Sequence, residues 1–120
     1  MNEERDALFD DASGDLALGE LDAAVEKYRR CVEIDPRFFD GWHALGMALM
    51  KLGRAEEAVV AGLEATSLQP NDQLAWSSLS LFYVRSGQIK EAEAAGVKAR
   101  IISWGGKVAP GPAPEAPPPA

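Results

Sequence analysis

A chain of 120 residues is long enough for one domain and short for two. Apolar residues make up 47% of it and aromatics only 8%, so helices drawn together over small side chains fit better than a core of large rings. The formal net charge of −7 argues against a general nucleic-acid binder, because phosphate contacts need a basic face.

The charge is unevenly placed. Residues 1–35 hold eleven acidic side chains against four basic ones, residues 36–70 four against three, and residues 71–120 four against five. An acidic terminus serves solubility, and it would also steer a basic partner with an effect that fades in salt. The single cysteine, Cys31, excludes an internal disulfide and fits a reducing compartment. The opening MNEERDALFDD is acidic where a secretory signal is basic and then apolar, and no apolar run is long enough to span a membrane, so the expected location is cytoplasmic.

In chain order, apolar periodicity and punctuation predict helices at about 4–18 and 21–34, 39–52 and 55–68, and 73–86 and 89–102. Gly19, Gly53 and Gly87 fall at the turn inside each pair, where a left-handed residue closes the first helix. Asn71 and Asp72 follow Pro70 and offer an N-cap to the fifth helix. These landmarks recur every 34 residues without an insertion: Ala24, Ala58 and Ala92; Cys31, Ala65 and Ala99; Pro36 and Pro70, with Trp104 in the proline's place at the end. Small side chains mark where the helices of a hairpin must approach closely, at Ala12, Gly46 and Ser80 on the first helices and the alanines and Cys31 on the second. Leu8, Trp42 and Trp76 share a bulky position, and Leu45 and Leu79 another. No hairpin of this kind buries both its faces alone, so stability requires stacking.

The pattern Trp42-x2-Leu45-Gly46, then Ala58, Ala65 and Pro70, resembles the tetratricopeptide (TPR) family, whose repeat has this length and order. The resemblance covers residues 5–106 as repeats 5–38, 39–72 and 73–106. It implies an all-α, right-handed α-solenoid of three helix-turn-helix hairpins. The remaining residues, 107–120, contain the six-proline run VAPGPAPEAPPPA and are expected to be disordered.

Three departures from the family pattern stand out. Asp11 and Asp15 take the places of Leu45 and Leu49, so either the first helix packs loosely or the carboxylates find partners; the looser helix is the expectation. The DDASGD run lacks the glycine and glutamate of a calcium loop. Gly62 and Gly96 replace the ring that Tyr28 supplies, which points either to close approach by a bulky neighbour, Trp76 or Phe82, or to drift. Finally, Gly105 and Gly106 stop the sixth helix, leaving no further helix to cover the last hairpin.

The resemblance also implies a function: a non-enzymatic protein-protein interaction module, a scaffold or adaptor, that receives a peptide or helix of a partner protein in a concave groove lined by the first helix of each repeat. The groove residues would be Phe9, His43, Met47, Met50, Leu81, Val84 and Arg85, with Asp6, Asp10, Asp40 and Leu74 beside them. The two-carboxylate clamp of chaperone-binding relatives is missing, since Phe9, Ser13, Ala44, Leu74 and Ser78 stand at its positions. The alternative is a subunit of a homo-oligomer or larger complex docked through its last helix, where Ala95, Ala99, Ile102 and Trp104 would form an apolar stripe open to water unless the residues after Gly105 fold back over it. Catalysis, cofactors and metals are not expected. His43 has no second ligand at helical spacing, Cys31 sits at a small buried position, and Ser77 and Ser78 lack a base.

Overall fold

The computed structural model describes residues 2–108, and the proline-rich stretch from 109 onward lies outside them. Among the described residues there are six helices and no strand: α1 (Glu3–Ala17), α2 (Leu21–Ile34), α3 (Phe39–Lys51), α4 (Ala55–Leu68), α5 (Gln73–Arg85) and α6 (Ile89–Ser103). They pair as α1 with α2, α3 with α4 and α5 with α6, and each hairpin packs on the next, which makes an all-α solenoid of three helical hairpins.

The turns follow from backbone sterics. Gly19, Gly53 and Gly87 adopt φ of 81°, 82° and 82°, a region closed to most side chains, so all three hairpins reverse with the same geometry. At the start of α5 the Asp72 carboxylate accepts from the Ala75 N–H at 2.8 Å, a side-chain cap on one of the helix's free donors. The loops entering α3 and α5 are held in a second way: the Trp42 indole N–H donates to the Pro36 carbonyl at 2.8 Å, and Trp76 repeats this on Pro70 at 2.7 Å. Each tryptophan thereby ties its own repeat to the proline that ended the previous one.

The core runs through the seams between helices. Ala12, Ala24, Cys31, Ala58 and Ala65 are fully buried, as the small-residue pattern requires. Phe82 of α5 is a wedge between repeats: it stands against Gly46 and Gly62 of the second hairpin and is wholly inaccessible to solvent. A Cβ added to Gly46 would stand 2.7 Å from the Phe82 ring, and one added to Gly62 would stand 3.0 Å from both Phe82 and Leu79. Close approach is therefore the reason for Gly62, with Phe82 and Leu79 rather than Trp76 as the neighbours. Gly96 differs, since nothing nearer than 3.6 Å would meet its Cβ. Gly96→Ala is accordingly expected to raise stability by up to about 1 kcal/mol, the helical advantage of alanine, whereas Gly62→Ala gains nothing because Phe82 must move. Equal gains in thermal melts of the two variants would show that the Gly62 seam is slack.

The first helix is complete rather than frayed. Its Asp15 is paired with Lys27 at 2.7 Å, and Asp11 is exposed, so neither carboxylate is buried without a partner. The expectation of a loosely held α1 fails because that end is fastened by polar contacts instead of an apolar stripe. Arg5 reaches Asp35 at 2.6 Å and lies over the Phe38 ring at 4.1 Å, and the Ser13 and Tyr28 hydroxyls meet at 2.9 Å.

At the other end, α6 stops at Ser103 and Gly105 turns the chain with φ of 88°. Val108 then returns: it packs on the core, and its N–H donates to the Asn71 side-chain oxygen at 2.6 Å.

Candidate functional site

The expected groove residues lie on α1, α3 and α5, the first helix of each hairpin. Between α3 and α5, His43 Nε2 lies 2.9 Å from the Ser78 hydroxyl, and the His43 ring stacks on Phe39 at 6.0 Å. Along α5, Leu74, Leu81 and Val84 are 62%, 37% and 48% exposed and recur at seven- and three-residue steps, so they form one apolar strip. Met47 and Met50 of α3 are half-buried beside them and pack against the core with their inner parts.

The other expected groove residues are divided between structure and surface. Phe9 is half-buried, with its ring 5.5 Å from Tyr28 and 5.3 Å from Phe38, so most of it joins α1 to its neighbours. Arg85 is exposed but belongs to a shallow polar hollow of about 430 Å³ beside the Gly53 turn, with Arg54, Glu56 and Ser86. Asp6, Asp10 and Asp40 remain exposed, and Asp6 is engaged by Arg5 at 2.7 Å.

Burial pushes the His43 imidazole below its ordinary value, against the opposing pull of Asp72 and Asp40. The unfolded chain then takes up a proton more readily than the folded one as pH falls through about 6.5, so His43 lowers stability in acid and contributes no slope above that range. Urea midpoints at pH 7.5 and 5.5 should differ less for His43→Gln than for the native chain; an equal drop would assign the acid sensitivity to the carboxylates. Cys31 is buried, its thiol donates to the Arg5 carbonyl at 3.4 Å, and burial raises its pKa, which fits packing rather than nucleophilic chemistry.

The stripe assigned to the last helix is corrected by the structure. Ala95 and Ala99 are 3% and 6% exposed, because they face α5 inside the third hairpin. Ile102 is half-buried against the core, and of the four residues only Trp104, 77% exposed, stands fully in solvent. What α6 does present is a different face, with Ile89, Val97 and Ile101 52%, 42% and 36% exposed. With Ser80, Gly96 and Arg100, Ile89 and Val97 bound a hollow of about 520 Å³ on the outer side of the third hairpin. Sequence reasoning missed this hollow, although the repetition of Gly62 at Gly96, with no following helix among the described residues, was the signal for it.

The family model for the middle TPR-like domain of cilia and flagella-associated protein 70 matches residues 2–101. The chain belongs to that TPR-like family. Its fold is also that of a MamA crystal structure, with a TM-score of 0.81 and 22% identity over 88% of this chain and 61% of that one. A MamA structure designated AMB-1 gives a TM-score of 0.79 and 25% identity over 86% and 61%. The second TPR of Spaghetti (RPAP3), bound to the HSP90 peptide SRMEEVD, gives 0.79 and 20% identity over 84% and 94%. This TPR-like chain thus spans about three-fifths of the MamA chains it resembles. No curated protein sequence matches it. Among the described residues, no helix is long and apolar enough to cross a membrane.

Proposed function

We propose that the chain is a protein-protein interaction module whose concave groove takes a peptide or short helix with apolar anchors and basic flanks. The observation that carries this reading is the strip of Leu74, Leu81 and Val84, exposed along α5 at helical spacing, together with the half-buried Met47 and Met50 of α3. Leucines held in water at helical spacing contribute affinity when a partner covers them, and flexible methionines adapt to its shape. The exposed Asp10 and Asp40 favour lysine or arginine at the ends of the ligand. A TPR bound to an HSP90 peptide shows the use of this fold in a relative, but SRMEEVD is acidic. The present groove has Phe9, Ser13, Ala44, Leu74 and Ser78 where the clamp would be, so a ligand of different chemistry is expected.

A random peptide library selected on the full chain should enrich sequences that pair aliphatic or aromatic anchors with Lys or Arg. The double substitution Met47→Glu with Leu81→Glu should weaken those peptides by at least about tenfold while the helical spectrum is kept. Selected peptides that bind the double variant equally well would sink the groove reading. The second reading, docking of a larger assembly on the α6 side, is favoured by the exposure of Trp104 and Ile101.

A further inference from the structure

The open face of α6 is complementary to itself. Ile89, Glu93, Gly96, Val97, Arg100 and Trp104 follow one another at steps of one, three and four residues that place them on a single stripe of the helix. From Ile89 to Trp104 the stripe is about 22 Å long. All of it is exposed except Gly96, which lies in the floor of the hollow, where an added Cβ would meet nothing nearer than the Ser80 hydroxyl at 3.6 Å. Among the described residues, neither Glu93 nor Arg100 takes part in an ion pair. The order of residues is balanced about the Gly96–Val97 step: Val97 is the counterpart of Gly96, Arg100 of Glu93 and Trp104 of Ile89.

We propose that a second copy of this chain docks here, α6 against α6 in antiparallel sense, about a two-fold axis through the Gly96–Val97 step. In that register Glu93 faces the partner's Arg100, Val97 enters the space over the partner's Gly96, and Ile89 covers the ring of the partner's Trp104; the two-fold makes every contact twice. The proposal rests on the second reading above, docking on the α6 side, and names its occupant. Charge selects both the occupant and its direction. A parallel pairing would set carboxylate on carboxylate and guanidinium on guanidinium. An antiparallel slip of one turn would set Glu93 against the partner's Gly96 or the partner's Trp104, and leave the charge without its opposite. Stacking end to end in repeat register fails differently, since it brings Asp11 and Gly14 to the places from which Leu79 and Phe82 meet Gly62. Residues 109–120 contain no basic side chain to answer Glu93.

Sedimentation equilibrium of the full chain at low ionic strength should show a monomer–dimer equilibrium with a Kd on the order of 10–100 µM, as suits one helix pair smaller than a standard interface. Glu93→Arg alone and Arg100→Glu alone, both at exposed positions, should each weaken it by at least about tenfold, because every dimer then holds two like-charged contacts. An equimolar mixture of the two variants should recover the native affinity as a heterodimer, each new charge meeting its opposite. No foreign partner predicts that mutual rescue. A chain that stays monomeric to about 1 mM would overturn the proposal, as would losses that mixing does not recover. The same samples separate it from the reading it rests on: a dimer that survives both charge variants but is broken by Trp104→Ser keeps the α6 side and removes this register. A dimer indifferent to all three removes both.

Discussion

Phe82→Ala is expected to lower the unfolding free energy by about 3–5 kcal/mol, the range for an aromatic side chain removed from a closed core. The ring is inaccessible to solvent and stands against Gly46 and Gly62, two positions with no side chain to swing into the space left behind. Because α5 supplies the ring and the second hairpin encloses it, the loss falls on the joint between hairpins. In a stacked array that joint is where cooperativity resides. Urea unfolding followed both by helical signal and by tryptophan emission, which reports on Trp42 of α3, Trp76 of α5 and Trp104 after α6, should therefore separate into two transitions in the variant. A single transition shifted by less than about 1 kcal/mol would show that Phe82 is not the wedge described.

The second large effect is expected at the other end. Tyr28→Ala should cost about 3–5 kcal/mol, since the ring is 1% exposed and packs on Phe9. Tyr28→Phe keeps the packing and removes only the hydroxyl contact with Ser13, so its cost should be about 0.5–1.5 kcal/mol. The ratio of the two, read from urea midpoints, tests whether packing or the hydrogen bond secures the first hairpin. Comparable costs would mean that the polar contact dominates.

Much of this fold was legible because a fixed repeat makes each position testable three times. Gly19, Gly53 and Gly87 announced the turns, and all six helices begin and end within one residue of the predicted bounds. Asp72 was readable as a cap from its place after Pro70. The indole bonds of Trp42 and Trp76 were not, because a carbonyl six residues back is chosen by the path of the loop rather than by residue type. The pairing of Asp15 with Lys27 joins two helices across the Gly19 turn, and only packing decides which basic side chain reaches it.

The candidate surfaces were less legible. Ala99 holds the position of Ala65 and Cys31, so its repeat place already assigned it to the inside, yet its apolar character and the missing further helix suggested an open stripe. Periodicity was the better guide. At the groove, the exposed Leu81 and Val84 could be anticipated from the family layout, whereas the inward commitment of Phe9 depends on rings from α2 and from the loop before α3.

The bond from Val108 to Asn71 sets the point of departure for anything joined beyond it. The backbone there is moored beside the connection between α4 and α5, at the opposite end of α5 from Val84 and the α6 wall at Ile89. A tag or surface linker attached after that point starts from the connection between α4 and α5, close in sequence to Leu74 rather than to Val84 or Ile89. Immobilised through its C-terminal side, the protein would thus be held at the Leu74 end of α5, which leaves the Val84 end as the one to probe on such a sample.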